Sequence, residues 1–149
     1  MSDLRFDKVV KFKLGNEYFA IPVEEVKEVV KMQNITRTPN SPPHVDGIID
    51  LRGIVCTIID PKKLLSISGS EESQEERIIV LDLEGSNVGI KVDEVSSVND
   101  FSNKEIDTNV GIGEYSRGIV KDESDGNVEL VILLDVKKLV EGTKEVQTA

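Results

Sequence analysis

Any catalysis or metal binding by this chain would have to come from few residues. The only histidine is His44, beside Pro42-Pro43, and the only cysteine is Cys56, inside Gly53-Ile54-Val55-Cys56-Thr57-Ile58-Ile59. Zinc sites gather three or four such ligands, and a nucleophile needs a base within hydrogen-bond reach. His44 and Cys56 meet neither need, and Cys56 reads as a buried small hydrophobe. A single thiol forms no internal disulfide, which agrees with a reducing compartment. Neighbouring carboxylates occur at Glu24-Glu25 and Asp93-Glu94. On a strand, neighbours point to opposite faces, so neither pair makes an acid–base dyad. A structural role at a strand end is expected instead. Gly111-Ile112-Gly113 with Gly118 lacks dinucleotide-fingerprint spacing, and no P-loop Lys-Ser/Thr follows. Asp122-Glu123-Ser124-Asp125-Gly126 lacks the ligand spacing and closing Glu of an EF-hand, and reads as a hairpin. The sequence therefore predicts no catalytic residue, no metal ligand and no cofactor. An enzyme acting on a small molecule held between two units is the competing reading. It needs convergent polar groups in a pocket, and no motif supplies them.

What remains is surface. Gly47-Ile48-Ile49-Asp50-Leu51-Arg52-Gly53 brackets an apolar stretch with two glycines and carries one arginine. The glycines permit tight backbone turns. Arg52 either satisfies a nearby carboxylate or anchors a protein interface, where Arg is a frequent hot spot.

The elements that must position this segment come from a repeat. Shifted by 69 positions, Val9-Val10-Lys11-Phe12-Lys13-Leu14 lies over Ile78-Ile79-Val80-Leu81-Asp82-Leu83. Phe19-Ala20-Ile21-Pro22-Val23-Glu24-Glu25-Val26 lies over Val88-Gly89-Ile90-Lys91-Val92-Asp93-Glu94-Val95. With small insertions, Gly47-Ile48-Ile49 resembles Gly118-Ile119-Val120, and Ile58-Ile59-Asp60-Pro61-Lys62-Lys63-Leu64-Leu65 resembles Leu133-Leu134-Asp135-Val136-Lys137-Lys138-Leu139-Val140. Four pairs in one order predict two related subdomains, roughly 8–68 and 77–142, within a single domain over 8–142. The polar segment 70–76 reads as the surface connection between them.

Within each copy the pattern is strand-like: Val10, Phe12 and Leu14 alternate with Lys11 and Lys13, as on a half-buried strand. Turn residues at Gly15-Asn16-Glu17, Gly85-Ser86-Asn87 and Asp125-Gly126 mark hairpins. Asp60 before Pro61 caps a short helix, Asp135 repeats the cap, and Ser41-Pro42-Pro43 suggests another helical turn. The expected fold is mainly β: two five-stranded β-barrel subdomains with short helices, closed so that few edges stay open.

Charge narrows the partners. The net charge is −10; residues 1–70 carry ten Lys/Arg against nine Asp/Glu, and 71–149 carry eight against nineteen. Such a field repels nucleic acid and anionic lipid surfaces. No stretch approaches the roughly 20 apolar residues of a membrane span, and Met1–Lys8 has no apolar run of a secretory signal.

Asp50-Leu51-Arg52-Gly53, followed by Ile54-Val55-Cys56-Thr57-Ile58-Ile59-Asp60, resembles the Asn-Leu-Arg-Gly motif and following strand of CheW-like chemotaxis coupling proteins. The segment Leu14–Val29 resembles that family's opening hairpin, and Val88–Val95 its second-half signature. The resemblance spans about residues 8–142 and implies two SH3-like barrels around a shared core. It implies a cytoplasmic, non-catalytic scaffold recruited to receptor arrays at the inner face of the membrane. Its partners would be the regulatory domain of the CheA histidine kinase and the cytoplasmic hairpin tip of chemoreceptors. An adaptor of a related twitching or surface-sensing pathway would look the same. The family's binding positions carry over to Val26, Glu28, Gly47 and Arg52. Asp50 departs from the usual Asn, which alters the local hydrogen bonds or adds a charge beside Arg52. Cys56-Thr57 departs from a strand where Pro is common.

Overall fold

A computed structural model describes residues 7–67, 75–108, 113–124 and 126–147. The expected connection over 70–76 lies outside these apart from Glu75 and Glu76, as do Gly111, Ile112 and Asp125. The chain runs β1 (Lys8–Leu14), β2 (Glu17–Pro22), β3 (Val26–Lys31), β4 (Val45–Leu51), β5 (Ile54–Ile59), α1 (Pro61–Leu64), β6 (Arg77–Leu81) and β7 (Val88–Val92). It continues through β8 (Glu94–Asp100), β9 (Ile106–Asp107), β10 (Ser116–Ser124), β11 (Asn127–Leu134) and α2 (Val136–Gln147). The fold is mainly β, as the alternation and turn chemistry predict.

The strands form two sheets, ordered β8-β1-β2-β11-β10-β9 and β3-β6-β7-β5-β4. Neither sheet follows the division at 68–77. The hairpin β1-β2 lies in the sheet of the second stretch, and β6-β7 lies in the sheet of the first. The exchange is reciprocal. In one sheet β2 pairs in parallel with β11, Phe19 opposite Ile132; in the other β7 pairs in parallel with β5, Val88 opposite Thr57. Both antiparallel hairpins are locally encoded by their turns. Which sheet each joins is a long-range choice that no local pattern specifies. The five strands expected per unit are present in one sheet, and the other adds the two-residue β9. Its counterpart in the five-stranded sheet is the isolated bridge Thr36–Ile48.

Alternating side chains of the exchanged hairpins serve two cores. Val10, Phe12, Leu14, Ile79, Leu81 and Ile90 meet in a central core between the sheets, joined by Val136, Leu139 and Val140 of α2. The other face of β1 and β2 packs Val9 and Ala20 against Phe101, Val120, Val131 and Leu133 inside the six-stranded sheet. The matching core in the five-stranded sheet holds Ile49, Leu51, Cys56, Ile58, Ile78 and Val80. Burial on both faces is why Ile78-Ile79-Val80-Leu81 reads as a continuous apolar run rather than an alternation. Each fully buried Ile or Leu stabilises the fold by about 1.5–3 kcal/mol.

Three expectations need correction. Lys11 is not on a solvent face: it is 7% exposed, because β1 is covered on both sides. Ser41-Pro42-Pro43 starts no helix. The chain makes a tight turn in which Val45 N–H donates to Pro42 O at 3.0 Å, then enters β4. Glu24-Glu25 lie not on a strand but in a single 3-10 turn, Val23–Glu25, joining β2 of one sheet to β3 of the other. The Asp60 cap is as expected, its carboxylate accepting from Lys62 N at 3.1 Å. Asp135 caps likewise toward Lys138 N at 3.2 Å, although α2 is longer than the short helix foreseen.

Candidate functional site

Leu51 pairs with Ile54, which leaves Arg52 and Gly53 as a two-residue hairpin turn between β4 and β5. Both residues have positive φ, 53° and 88°. Such turns suit the twist of the flanking strands and favour Asn, Asp or Gly. Gly53 fits; an arginine held there costs about 1–2 kcal/mol. Two contacts offset it. Gly53 N–H donates to Asp50 Oδ1 at 2.8 Å, a bond worth about 0.5–1.5 kcal/mol. The Arg52 guanidinium (Nη2) donates to Glu28 Oε2 on β3, an exposed ion pair worth about 0–1 kcal/mol. Residues held in sparsely populated backbone regions are enriched at ligand and switch sites, although Asn40 and Ser66 share the positive φ. The Arg52 side chain is 69% exposed and that of Glu28 26%. Beneath them lies a small depression of about 140 Å³ lined by Lys27, Glu28, Leu51, Arg52, Ile54 and Val80. Ile54 and Val55 beside it are exposed apolar side chains.

The four residues singled out from the sequence do not form one cluster. Glu28 and Arg52 are brought together, from 24 positions apart. Val26 is separated from them by a bulge, since Val26 pairs with Leu81 but Glu28 with Val80. The extra residue, Lys27, sends Val26 against the central core and Glu28 toward Arg52. Gly47 sits at another irregularity, between Val45 and Gly47. A Cβ there would lie 2.1 Å from Thr36 O, and φ is +146°. Gly47 lets the backbone at Thr36 cross β4 with two bonds, Thr36 N to Ile48 O at 2.9 Å and Ile48 N to Thr36 O at 2.8 Å.

The same ladder positions in the other sheet carry different chemistry. Val80 corresponds to Lys11, the pair Leu51–Ile54 to Asp122–Glu129, and Glu28 to Ser97. Lys11 Nζ binds Asp122 Oδ2 at 3.3 Å and also Glu129 Oε1, while Lys104 approaches Asp122 at 3.8 Å. Lys11 also lies 4.5 Å over the Tyr18 ring. Burial opposes the ammonium charge, but the two carboxylates prevail and hold the Lys11 pKa above its ordinary value. The network puts ion pairs at ladder positions that Leu51, Ile54 and Val80 occupy beside the depression in the five-stranded sheet. No local pattern signals it, because Lys11 sits in a run whose alternation reads as solvent-facing. Glu25, expected only as a strand-end carboxylate, is mostly buried: burial raises its pKa, against Arg117 3.6 Å away, and its Oε1 is buried without a hydrogen-bond partner.

The remaining candidates stay structural. Burial pushes the Cys56 thiol pKa up and that of His44 down. The His44 carbonyl accepts from Asp60 N at 2.8 Å, tying the turn to α1. Asp93 accepts from Gly15 N at 2.6 Å and from Lys62 Nζ at 2.9 Å, a strand-end role. Among the described residues no three His, Cys, Asp or Glu side chains gather into a metal-binding group. A depression of about 420 Å³ between the six-stranded sheet and the segment 65–67 after α1 offers Glu17 and Tyr115 as its titratable groups. No described helix is long and apolar enough to cross a membrane.

A family model, the CheW-like domain, matches residues 8–144. The chain is 34% identical to the chemotaxis protein CheW of Thermotoga maritima over 137 residues, covering 90% of this chain and 87% of that one. It is 32% identical to chemotaxis protein CheW of Bacillus subtilis, covering 85% and 76%. A more distant match is protein PilI of Pseudomonas aeruginosa, 28% identical over 62% of this chain and 52% of that protein. The solved structure of scaffolding protein TtCheW from Thermoanaerobacter tengcongensis superposes with a TM-score of 0.75 at 30% identity, covering 89% of this chain and 86% of that one.

Proposed function

The chain belongs to the CheW-like family, and from that membership we propose a coupling adaptor of chemotaxis signal transduction that joins chemoreceptors to the CheA histidine kinase. Its work is binding rather than catalysis, with the kinase regulatory domain and the cytoplasmic hairpin tip of the receptors as partners. The chain then acts at the inner face of the membrane, in receptor arrays. The observation that carries this reading is the match over 8–144 together with the likeness to a scaffolding protein.

The Arg52–Glu28 turn supports a docking role. Arginine beside exposed apolar side chains is a common interface anchor, and here backbone strain is accepted to present it. Glu28 and Arg52 are proposed to touch a partner. Val26 and Gly47 act through shape, one by packing under the β3 bulge and the other by letting β4 be crossed. An adaptor alters signalling only if its contacts favour one partner state over another. Joining two weak contacts on one rigid body raises their effective concentration.

Calorimetric titration with the kinase regulatory domain of the same cell tests the reading. Saturable one-to-one binding that Arg52→Glu weakens by tenfold or more supports it, tenfold being about 1.4 kcal/mol. No binding at tens of micromolar with both proteins folded overturns this choice of kinase. The likeness to PilI favours a second reading, an adaptor of a related twitching or surface-sensing pathway. Binding to the kinase of that pathway instead would select it.

A further inference from the structure

We propose that Asp50 is a positioning residue for Arg52, acting by pinning the turn that presents the guanidinium; this deepens the docking reading and rests on it for its effect on partners. The Asp50 carboxylate is fixed to Gly53 N–H at 2.8 Å. The ring that bond closes contains Leu51 and Arg52, whose φ is 53°, and ends at the amide of Gly53, whose φ is 88°. Gly53 adopts such a φ without penalty, and Arg52 does not. With the bond removed, only the Leu51–Ile54 pairing that closes the hairpin holds Arg52 in the left-handed region, and the end of the ladder frays more readily. Arg52 then relaxes toward negative φ, which swings its Cα–Cβ bond and carries the guanidinium away from Glu28 Oε2. The ion pair alone is a poor restraint, because the Arg52 side chain is 69% exposed and screened by solvent.

The contribution comes from the acceptor oxygen and not from the charge. An asparagine at position 50 offers the same Oδ1 to Gly53 N–H. A carboxylate additionally sets a negative charge two residues from Arg52. Charge and bond are therefore separable by substitution, with Asp50→Asn keeping the bond and Asp50→Ala losing both.

The test uses the whole chain. In NMR spectra of the free protein, positive φ at Arg52 gives an intense intraresidue HN–Hα NOE, and the bonded Gly53 amide is protected from exchange. Asp50→Ala is expected to weaken that NOE and raise the Gly53 exchange rate about three- to tenfold, and Asp50→Asn to restore both. With the kinase regulatory domain as probe, Asp50→Ala is expected to weaken binding about three- to tenfold, and Asp50→Asn by less than threefold. In the Arg52→Ala background, Asp50→Ala adds nothing further. An unchanged NOE and unchanged Gly53 protection in Asp50→Ala, failure of Asn to rescue, or full additivity with Arg52→Ala would overturn the proposal. If the unmodified chain does not bind the kinase domain while the NMR changes occur, the partner assignment falls and the positioning role stands.

Discussion

Gly47→Ala should be among the most damaging single-methyl additions in this chain, and the damage should come from the backbone crossing at Thr36. The new Cβ would sit 2.1 Å from Thr36 O and 2.7 Å from its carbonyl carbon, where ordinary contact begins at 3.4 Å. Relief requires the Thr36 carbonyl to retreat by more than 1 Å, given those two distances. That breaks the bonds to Ile48 at 2.8 and 2.9 Å, each worth about 0.5–1.5 kcal/mol. Strain at φ +146° adds to it. A loss of about 3 kcal/mol follows. The matching glycine provides the control. At Gly118 the φ is +152° and the Asp107 carbonyl oxygen is 3.1 Å away, but the closest atom, at 2.6 Å, is a side-chain methyl, Ile106 Cγ2, rather than backbone. Gly118→Ala should cost about 1–2 kcal/mol. For a chain of this size each kcal/mol moves Tm by about 2–4 °C. Trp is absent, so urea unfolding is followed by far-ultraviolet circular dichroism. Gly47→Ala losing no more stability than Gly118→Ala would refute the reasoning. So would Gly47→Ala that keeps full stability yet loses binding to the kinase domain, since Gly47 would then be a contact.

Three other outcomes are expected. Arg52→Gly relieves the left-handed strain, so its Tm should be equal to or above that of the unmodified chain while kinase-domain binding drops about tenfold; a lower Tm with intact binding contradicts this. Lys11→Ala leaves buried Asp122 with only the more distant Lys104 ammonium at 3.8 Å and should cost about 3 kcal/mol in urea, whereas Lys11→Met paired with Asp122→Leu and Glu129→Leu should recover most of it; equal losses in both variants argue against the network. Lys11 has a folded pKa raised above 10.5, mainly through Glu129 and Asp122 overcoming desolvation. Its stabilisation is thus present below that value and lost as pH rises through the folded pKa. Glu25 also has a raised folded pKa, chiefly from burial, so the unmodified chain gains stability relative to Glu25→Gln as pH falls from neutral toward 4.5. A flat difference between the two across that window rules out a buried, half-partnered carboxylate.

The strands, hairpins and helix caps were legible because each is a local signal. Asp60 before Pro61 and the turn at Gly15-Asn16 work through neighbours in sequence. The repeat was legible too, and the ladder registers carry it through to matching bulges at Lys27 and Ser96. The sheet that each hairpin joins was not. Ile79 and Phe12 look alike as strand residues, and nothing near them records that β6-β7 pairs with β5 while β1-β2 pairs with β11. Arg52 stood out in its own segment, with a nearby carboxylate as one expected partner, and Glu28 came through the resemblance, but their pairing depends on a bulge that the sequence does not mark. Lys11 was misread because alternation assumes that one face of a strand meets water, which fails for a strand covered on both sides.

A repeated fold offers a partner two similar ends, and selective docking requires them to differ. Here the difference is chemical rather than architectural. At one end Leu51, Ile54 and Val80 leave a depression under a strained arginine. At the matching ladder positions of the other, Asp122, Glu129 and Lys11 place their own charges, and Ser97 stands where Glu28 would be needed to hold an arginine. A ligand that buries Ile54 and pairs with Arg52 gains contacts at the first end. At the second it would have to break apart an ion network whose Lys11 and Asp122 are 7% and 6% exposed. Separating such buried charges costs several kcal/mol, and by that margin a partner docking as proposed at Arg52 would prefer the first end.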